Sequence, residues 1–475
     1  MTKSAPEFYQ EIIEKFPFEP TNSQDVLLIK LSEFIFGNDT DALFLIKGYA
    51  GTGKTTTIST VVNNLWRAGK KAVLLAPTGR AAKVISGYSK RQAFTIHKKI
   101  YFPKKNKAGG VDFTLQTNKH TNTLFIVDEA SMIPDSPVGS KLFDNGSLLD
   151  DLMSYVYSGV HCKLILIGDT AQLPPVKLDI SPALDANKLA LNYNKNITEI
   201  ELSEVMRQHE DSGILLNATE LRLILGNNGF SNFKFRLGFP DLIRLIDGYE
   251  IEDAITTAYD HIGVEDTAFI VRSNKRANQY NQQIRSKIRG QENEISTGDY
   301  VMVVKNNYFW LKDSSEAGFI ANGDICEILE IFNIKELYGF NFAEVKVRMI
   351  DYPNQKPFET VLLLDTLTSE SPSLSYEDSN RLYHEVGKDF SHEKSKYKQL
   401  LGVKNSKYFN ALQVKFSYAV TCHKSQGGQW KTVFIEQPYL PEGQNINYLR
   451  WLYTAITRAQ EKVYLIGFKE DFFEE

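Results

Sequence analysis

A chain of 475 residues exceeds what one hydrophobic core supports, so about two to four domains are expected. With 42% hydrophobic and 24% charged residues the composition is that of a globular chain, and no apolar run is long enough to span a bilayer. A net charge of -4 excludes a uniformly basic surface, leaving any binding of polyanions to local patches.

In chain order, the N-terminal MTKSAPEFYQEIIEKF mixes charges into its apolar positions and lacks a signal-peptide pattern, which predicts a cytoplasmic protein with no membrane association. The runs ALFLIKG, KAVLLAPT, TLFIVDEAS and CKLILIGD follow, separated by helix-like segments, and read as buried parallel strands of a first α/β lobe with functional loops at their C-terminal ends. Between Ile96 and Thr123 lies an insertion with basic flanks, Pro103, and Gly109 and Gly110 for a turn. Its start, His97 to Lys107, carries five lysines with aromatics between them. A second strand set, DTAFIVRSN, KFSYAVTCH, KTVFIEQ and KVYLIGF, predicts a second α/β lobe. Between its pieces, TGDYVMVVKNNY, ANGDICEILEI and AEVKVRMID suggest a small antiparallel barrel, followed by a Tyr- and Lys-rich stretch from Ser369 to Asn410. That stretch reads either as a helical arm contacting the first lobe or nucleic acid, or as a solvated helical face. The cysteines Cys162, Cys326 and Cys422 are odd in number and far apart, which fits neither a disulfide framework nor a zinc site.

The strongest local signal is GYAGTGKT, Gly48 to Thr55, with a strand before it and a helix after it. Gly48, Gly51 and Gly53 allow the backbone to curl so that N–H groups face phosphate oxygens, with Thr52 and Thr56 beside them in the same nucleotide-binding segment. Lys54 suits the β- and γ-phosphates of ATP, and the Thr55 hydroxyl suits Mg²⁺. LFIVDEASM then places Asp128 and Glu129 at the end of a buried strand, where adjacent acids are costly without a cation. Asp128 suits the Mg²⁺ site, and Glu129 suits the base that orients an attacking water.

In order and content these segments resemble superfamily 1 helicases, and among them the RecD/Dda-like members of the 5′-to-3′ group, over most of the chain. The resemblance implies two RecA-like P-loop NTPase lobes with parallel sheets, a small β-hairpin insertion and an SH3-like β-barrel insertion. The implied division is 1–97 with 123–210 for the first lobe and 98–122 for the hairpin. Residues 211–284 with 411–475 form the second lobe, and 285–410 the barrel and charged arm. Thr21 to Gln24 resemble the Q motif, which makes Gln24 an adenine reader. GDTAQLPPV, Gly168 to Val176, resembles the motif in which Asp169 and Gln172 sense the γ-phosphate. LSEVMRQ and YTAITRA resemble motifs IV and VI, which makes Arg207 and Arg458 arginine fingers from the two lobes.

The remaining motifs of the resemblance point to nucleic acid. APTGRAA and TIH imply DNA contacts at Pro77, Thr78, Arg80, Thr95 and His97, and YAVTCHKSQG implies them at Thr421, His423, Lys424 and Gln426. Hydroxyls, amides and cations at strand ends suit phosphate contacts that do not read sequence. Tyr49 beside the P-loop either stacks on the base or packs. The hairpin corresponds to a strand-separation pin, with Tyr101, Phe102 and Phe113 as alternative candidates for its wedge side chain, and the turn at Asn322 to Asp324 to a signature of the barrel. The implied protein is a monomeric ATP-dependent helicase on single-stranded and forked DNA, with single-strand-binding or repair proteins as partners. An RNA-directed helicase and an ATP-gated nucleic-acid-binding subunit are the alternatives.

Overall fold

The computed structural model describes residues 4–105, 111–135, 147–204, 211–226, 231–311, 315 and 317–474. Parallel strands build the first lobe's sheet in the order Ala93–Thr95, Lys71–Ala76, Thr123–Val127, Lys163–Gly168, Ala42–Gly48 and Asn196–Leu202. Their apolar runs do not alternate with polar residues because both faces are covered. Leu43, Leu45, Phe125 and Val127 enter one core, while Phe44, Ile46, Leu124 and Ile126 enter the other.

The second lobe repeats the plan in the order Ala419–Thr421, Thr267–Val271, Trp430–Glu436, Ala459–Ile466 and Leu242–Leu245, all parallel. Ala268, Ile270, Val433 and Ile435 pack beneath the helix Ile446–Ile456. Phe269, Val271 and Phe434, on the opposite face, share one continuous core with the barrel residues Val301, Ile328, Val345 and Val414. The barrel is therefore built onto the second lobe. Its attachment includes a buried ion pair, Arg285 to Asp299 (2.9 Å), whose carboxylate also accepts from Tyr418 Oη (2.9 Å) and Ser296 N–H (2.7 Å).

Two sequence-based expectations need correction here. KFSYAVTCH is not one strand of the second lobe. Leu412–Phe416 closes the barrel against Tyr300–Val303, and only Ala419–Thr421 joins the lobe. The chain changes sheets at Ser417 and Tyr418, where Ser417 N–H donates to Tyr300 O and Phe269 N–H donates to Tyr418 O, both at 3.0 Å. The last barrel strand thus extends past the boundary expected at residue 410. Nor is the barrel wholly antiparallel, since Phe358–Leu363 and Leu412–Phe416 pair in parallel. The polypeptide between these two strands forms the helices Tyr376–Lys388 and Lys396–Lys404, which pack on the barrel through Leu382, Val386 and Val403 against Phe340 and Phe342.

Within the first lobe's insertion, Tyr101–Lys105 and Val111–Leu115 form an antiparallel hairpin. Its root is anchored by Tyr101, which is buried and donates to Asp151 Oδ2 (2.6 Å), whereas Phe102 beside it is 53% exposed. Tyr101 is thereby removed as a wedge residue, and the Phe113 side chain lies outside the described residues. Among the described residues no helix is long and apolar enough to cross a membrane.

Candidate functional site: a nucleotide cleft between the lobes

The strand Ala42–Gly48 delivers the chain into the GYAGTGKT loop, and Gly51 (φ 76°) and Gly53 (φ 77°) adopt the left-handed backbone that turns it into the helix Lys54–Asn64. At Gly48 the requirement is space, because a Cβ there would lie 2.8 Å from Lys54 Cγ. Lys54 Nζ curls over the loop and donates to Gly48 O (2.5 Å) and Tyr49 O (2.7 Å). Thr52 is buried and ties the loop back to Tyr49 O (2.8 Å).

Gln24 sits differently from the adenine-reading position expected. Its Oε1 accepts from Thr21 N–H (3.1 Å) in a capping box, and its Nε2 donates to Thr52 O (3.0 Å). With both ends of its amide so engaged and 1% exposure, Gln24 braces the P-loop from behind and does not line the cleft. The helix-capping geometry and the buried Thr52 carbonyl outcompete an outward-facing pose.

A cleft of about 570 Å³ opens in front of the loop and is lined from both lobes. The first lobe supplies Lys54, Thr55, Asp128, Glu129, Asp169 and Gln172, and the second supplies Arg458. Thr56, one residue beyond Thr55, is half-buried and does not line it. Burial and the adjoining Glu129 push Asp128 up to about 6, against the pull of Glu129 N–H, Lys54 and Arg458. Glu129 stands in the left-handed region (φ 53°), a strained conformation for a non-glycine residue that turns its carboxylate toward the opposite lobe. There Arg458 Nη1 lies 3.6 Å from Glu129 Oε1. The guanidinium is held by Thr454 O (3.0 Å), Thr457 Oγ1 (3.2 Å) and Gly428 O (3.4 Å). Arg207 lies outside the described residues. Tyr49 lines the cleft with its hydroxyl on Glu201 (2.5 Å) and the Arg222 guanidinium 4.6 Å from its ring centroid. Its ring face is thus covered by a cation from the second lobe.

Asp169 is buried, which raises its carboxyl above the usual range, while Lys54 and a hydrogen bond from Tyr453 oppose that rise. Tyr453 and Thr454 are the residues that sequence reasoning missed. On an apolar helix a tyrosine reads as core, and only its partners distinguish it.

The residues expected to grip a strand divide into two groups. Thr78 and Thr95 cap helices, accepting from Ala81 N–H (3.2 Å) and Lys98 N–H (3.3 Å) respectively, and Thr95 is buried. Pro77 and Thr421 are half-buried and His423 is exposed. Lys424 Nζ reaches Asn322 Oδ1 (3.5 Å) in the barrel's turn, and burial next to Lys415 pulls it down to about 8. Burial likewise pulls His97 down to about 4, which makes its imidazole neutral at physiological pH. Arg80 and Gln426 depart from the expectation, because both join the lobes. Arg80 stacks 4.1 Å over the Trp430 ring, and Gln426 is buried with Nε2 on Leu173 O (2.7 Å). Gly427 (φ 72°) brings the same segment so near the first lobe that a Cβ would lie 2.8 Å from Ala81 Cβ.

Two parallel-sheet lobes closing on one P-loop cleft, with an arginine from the far lobe, define a nucleotide-driven motor of the two-lobed P-loop class. Residues 36–223 match the AAA domain family, and residues 416–466 match the UvrD-like helicase C-terminal domain family. In that order along the chain the two matches resemble superfamily 1 helicases, and among them the RecD/Dda-like members. The chain is 25% identical to the ATP-dependent DNA helicase dda of Enterobacteria phage T4, covering 89% of this chain and 93% of that one. It is 23% identical to the ATP-dependent RecD2 DNA helicase of Deinococcus radiodurans over 90% of this chain, spanning 47% of that longer protein. A solved Pif1 helicase structure from Bacteroides, in complex with ADP-AlF3 and single-stranded DNA, aligns with 96% of this chain and 94% of its own at TM-score 0.46 and 14% identity.

Proposed function

We propose that the protein moves along single-stranded DNA in the 5′-to-3′ direction by hydrolysing ATP, and that it unwinds the duplex ahead. The observation that carries this reading is the shared cleft, in which Lys54, Asp128, Glu129 and Gln172 of one lobe face Arg458 of the other. Lys54 binds the β- and γ-phosphates, and Glu129 orients the attacking water. Asp169 and Gln172 register the γ-phosphate, and Arg458, with Arg207, stabilises charge on the transferring phosphoryl group. The residues present fit Mg²⁺, since a buried carboxylate raised to about 6 gains from a divalent cation and the Thr55 hydroxyl lines the same cleft. Thr55 and Asp128 would hold it, and it would neutralise phosphate charge.

Because Arg458 approaches Glu129 only when the lobes are together, occupancy of the cleft is linked to closure and product release to opening. Stepping follows if each lobe holds DNA, through Pro77, Thr78 and His97 on one side and Thr421, His423 and Lys424 on the other. The hairpin Tyr101–Leu115 serves as the separation pin, with the exposed Phe102 as its described wedge residue. Base–aromatic stacking there is worth about 1–3 kcal/mol per base.

The test is ATP hydrolysis with and without poly(dT), beside Lys54→Ala, followed by unwinding of duplexes carrying a 5′ or a 3′ tail. Stimulation lost in the variant, with unwinding from the 5′ tail alone, is the expected result. Absence of DNA stimulation would refute the motor reading, and stronger stimulation by poly(U) would assign the substrate to RNA.

A further inference from the structure

The loop after the strand Lys163–Gly168 is held by the second lobe at three points. Tyr453 Oη donates to Asp169 Oδ2 (2.6 Å), Leu173 N–H donates to Thr454 Oγ1 (2.9 Å), and Gln426 Nε2 donates to Leu173 O (2.7 Å). Tyr453 does more than hold this loop. Its phenol oxygen also accepts from Ala50 N–H (2.9 Å), inside the P-loop, and its side chain is 1% exposed. An amide N–H can only donate, so the phenol oxygen accepts there and its single proton is left for Asp169. The other carboxylate oxygen, Oδ1, takes Ala171 N–H (2.9 Å), which fixes the orientation of the whole group.

We propose that Tyr453 is a positioning residue that couples lobe closure to the γ-phosphate sensor. Its hydroxyl sets the P-loop backbone at Ala50 and the Asp169 carboxylate at once, and only when the second lobe is seated. The two partners lie in different segments of the first lobe, while the hydroxyl rides on the helix Ile446–Ile456, which also leads into Arg458. Separation of the lobes strips both hydrogen bonds from a buried phenol and takes that partner from Ala50 N–H and Asp169 Oδ2, so intermediate positions are disfavoured. The same helix thus delivers the arginine and sets the groups that face it. This inference rests on the reading of the chain as an ATP-hydrolysing motor.

The experiment is steady-state ATP hydrolysis by the full chain with saturating poly(dT) for wild type, Tyr453→Phe, Asp169→Asn and the double variant. Tyr453→Phe is expected to lower the DNA-stimulated kcat by about tenfold or more while KM for ATP stays within about threefold, because the interaction positions reacting groups and does not add ground-state binding. In the Asp169→Asn background the same substitution is expected to have a smaller effect, since the Tyr453–Asp169 interaction is already altered and the Ala50 bond is what remains to be lost. Wild-type stimulation in Tyr453→Phe, or independent multiplying losses in the double variant, would overturn the inference and leave the motor reading standing. No hydrolysis by wild type would remove both. Should Tyr453→Phe fail to fold, a fluorinated tyrosine at 453 keeps ring and hydroxyl but alters the donor strength. A changed stimulated kcat at constant KM then supports the coupling, and an unchanged one overturns it.

Discussion

Replacement of Arg458 by alanine probes the cleft where the two lobes meet. The guanidinium is 3% exposed and already tethered by Thr454 O, Thr457 Oγ1 and Gly428 O, so little side-chain entropy is lost when it acts on nucleotide. An arginine supplied to a transferring phosphoryl group is worth about 10³–10⁵ in kcat, or roughly 4–7 kcal/mol. The variant also removes three hydrogen bonds, at roughly 1 kcal/mol each, so a stability loss of about 3 kcal/mol accompanies the kinetic one. Arg458→Lys separates the two effects, because it keeps a cation but loses the planar fork, and an intermediate loss of about a hundredfold is expected. The assay is DNA-stimulated ATP hydrolysis, run beside a thermal melt and fluorescent-ADP binding. If Arg458→Ala bound nucleotide normally and hydrolysed ATP within about tenfold of wild type, the finger assignment would be wrong.

Three further outcomes are expected. Asp299→Ala strands the Arg285 guanidinium, 2% exposed, and should cost about 3–5 kcal/mol in chemical denaturation, whereas a loss under about 1 kcal/mol would contradict the buried-pair account. Asp324 is pushed up to about 8, chiefly by burial with Asp351 adding to it, so between the unfolded carboxyl range and pH 8 the native state holds a proton that the unfolded chain has released. Stability should therefore fall as pH rises toward 8 and level off above it, and the Tm advantage of Asp324→Asn over wild type should widen from pH 6 to pH 8.5; a pH-independent difference would refute this. Truncating residues 104–118 should spare DNA-stimulated hydrolysis but lower unwinding, and equal loss of both would remove the pin assignment.

Much of the site was legible because its signals are contiguous. The GYAGTGKT loop, the Asp128–Glu129 pair and the GDTAQLPPV turn each lie at the end of an apolar run, and a buried parallel strand places whatever follows it at one edge of the sheet. The same locality explains why both lobes and the barrel could be anticipated from runs of strand-like sequence. Tertiary structure decided what depends on partners far away in the chain. KFSYAVTCH is uniformly strand-like, and only its pairing with Tyr300–Val303 on one side and Thr267–Val271 on the other divides it between two sheets. Gln24, Arg80 and Gln426 have side chains suited to a ligand as much as to a neighbour, and buried backbone carbonyls or an indole face claimed them. For Tyr453 the distinction was invisible from sequence, since its ring satisfies the helix's apolar pattern while the hydroxyl's two partners lie 284 and 403 positions away and meet it only when the lobes are packed together.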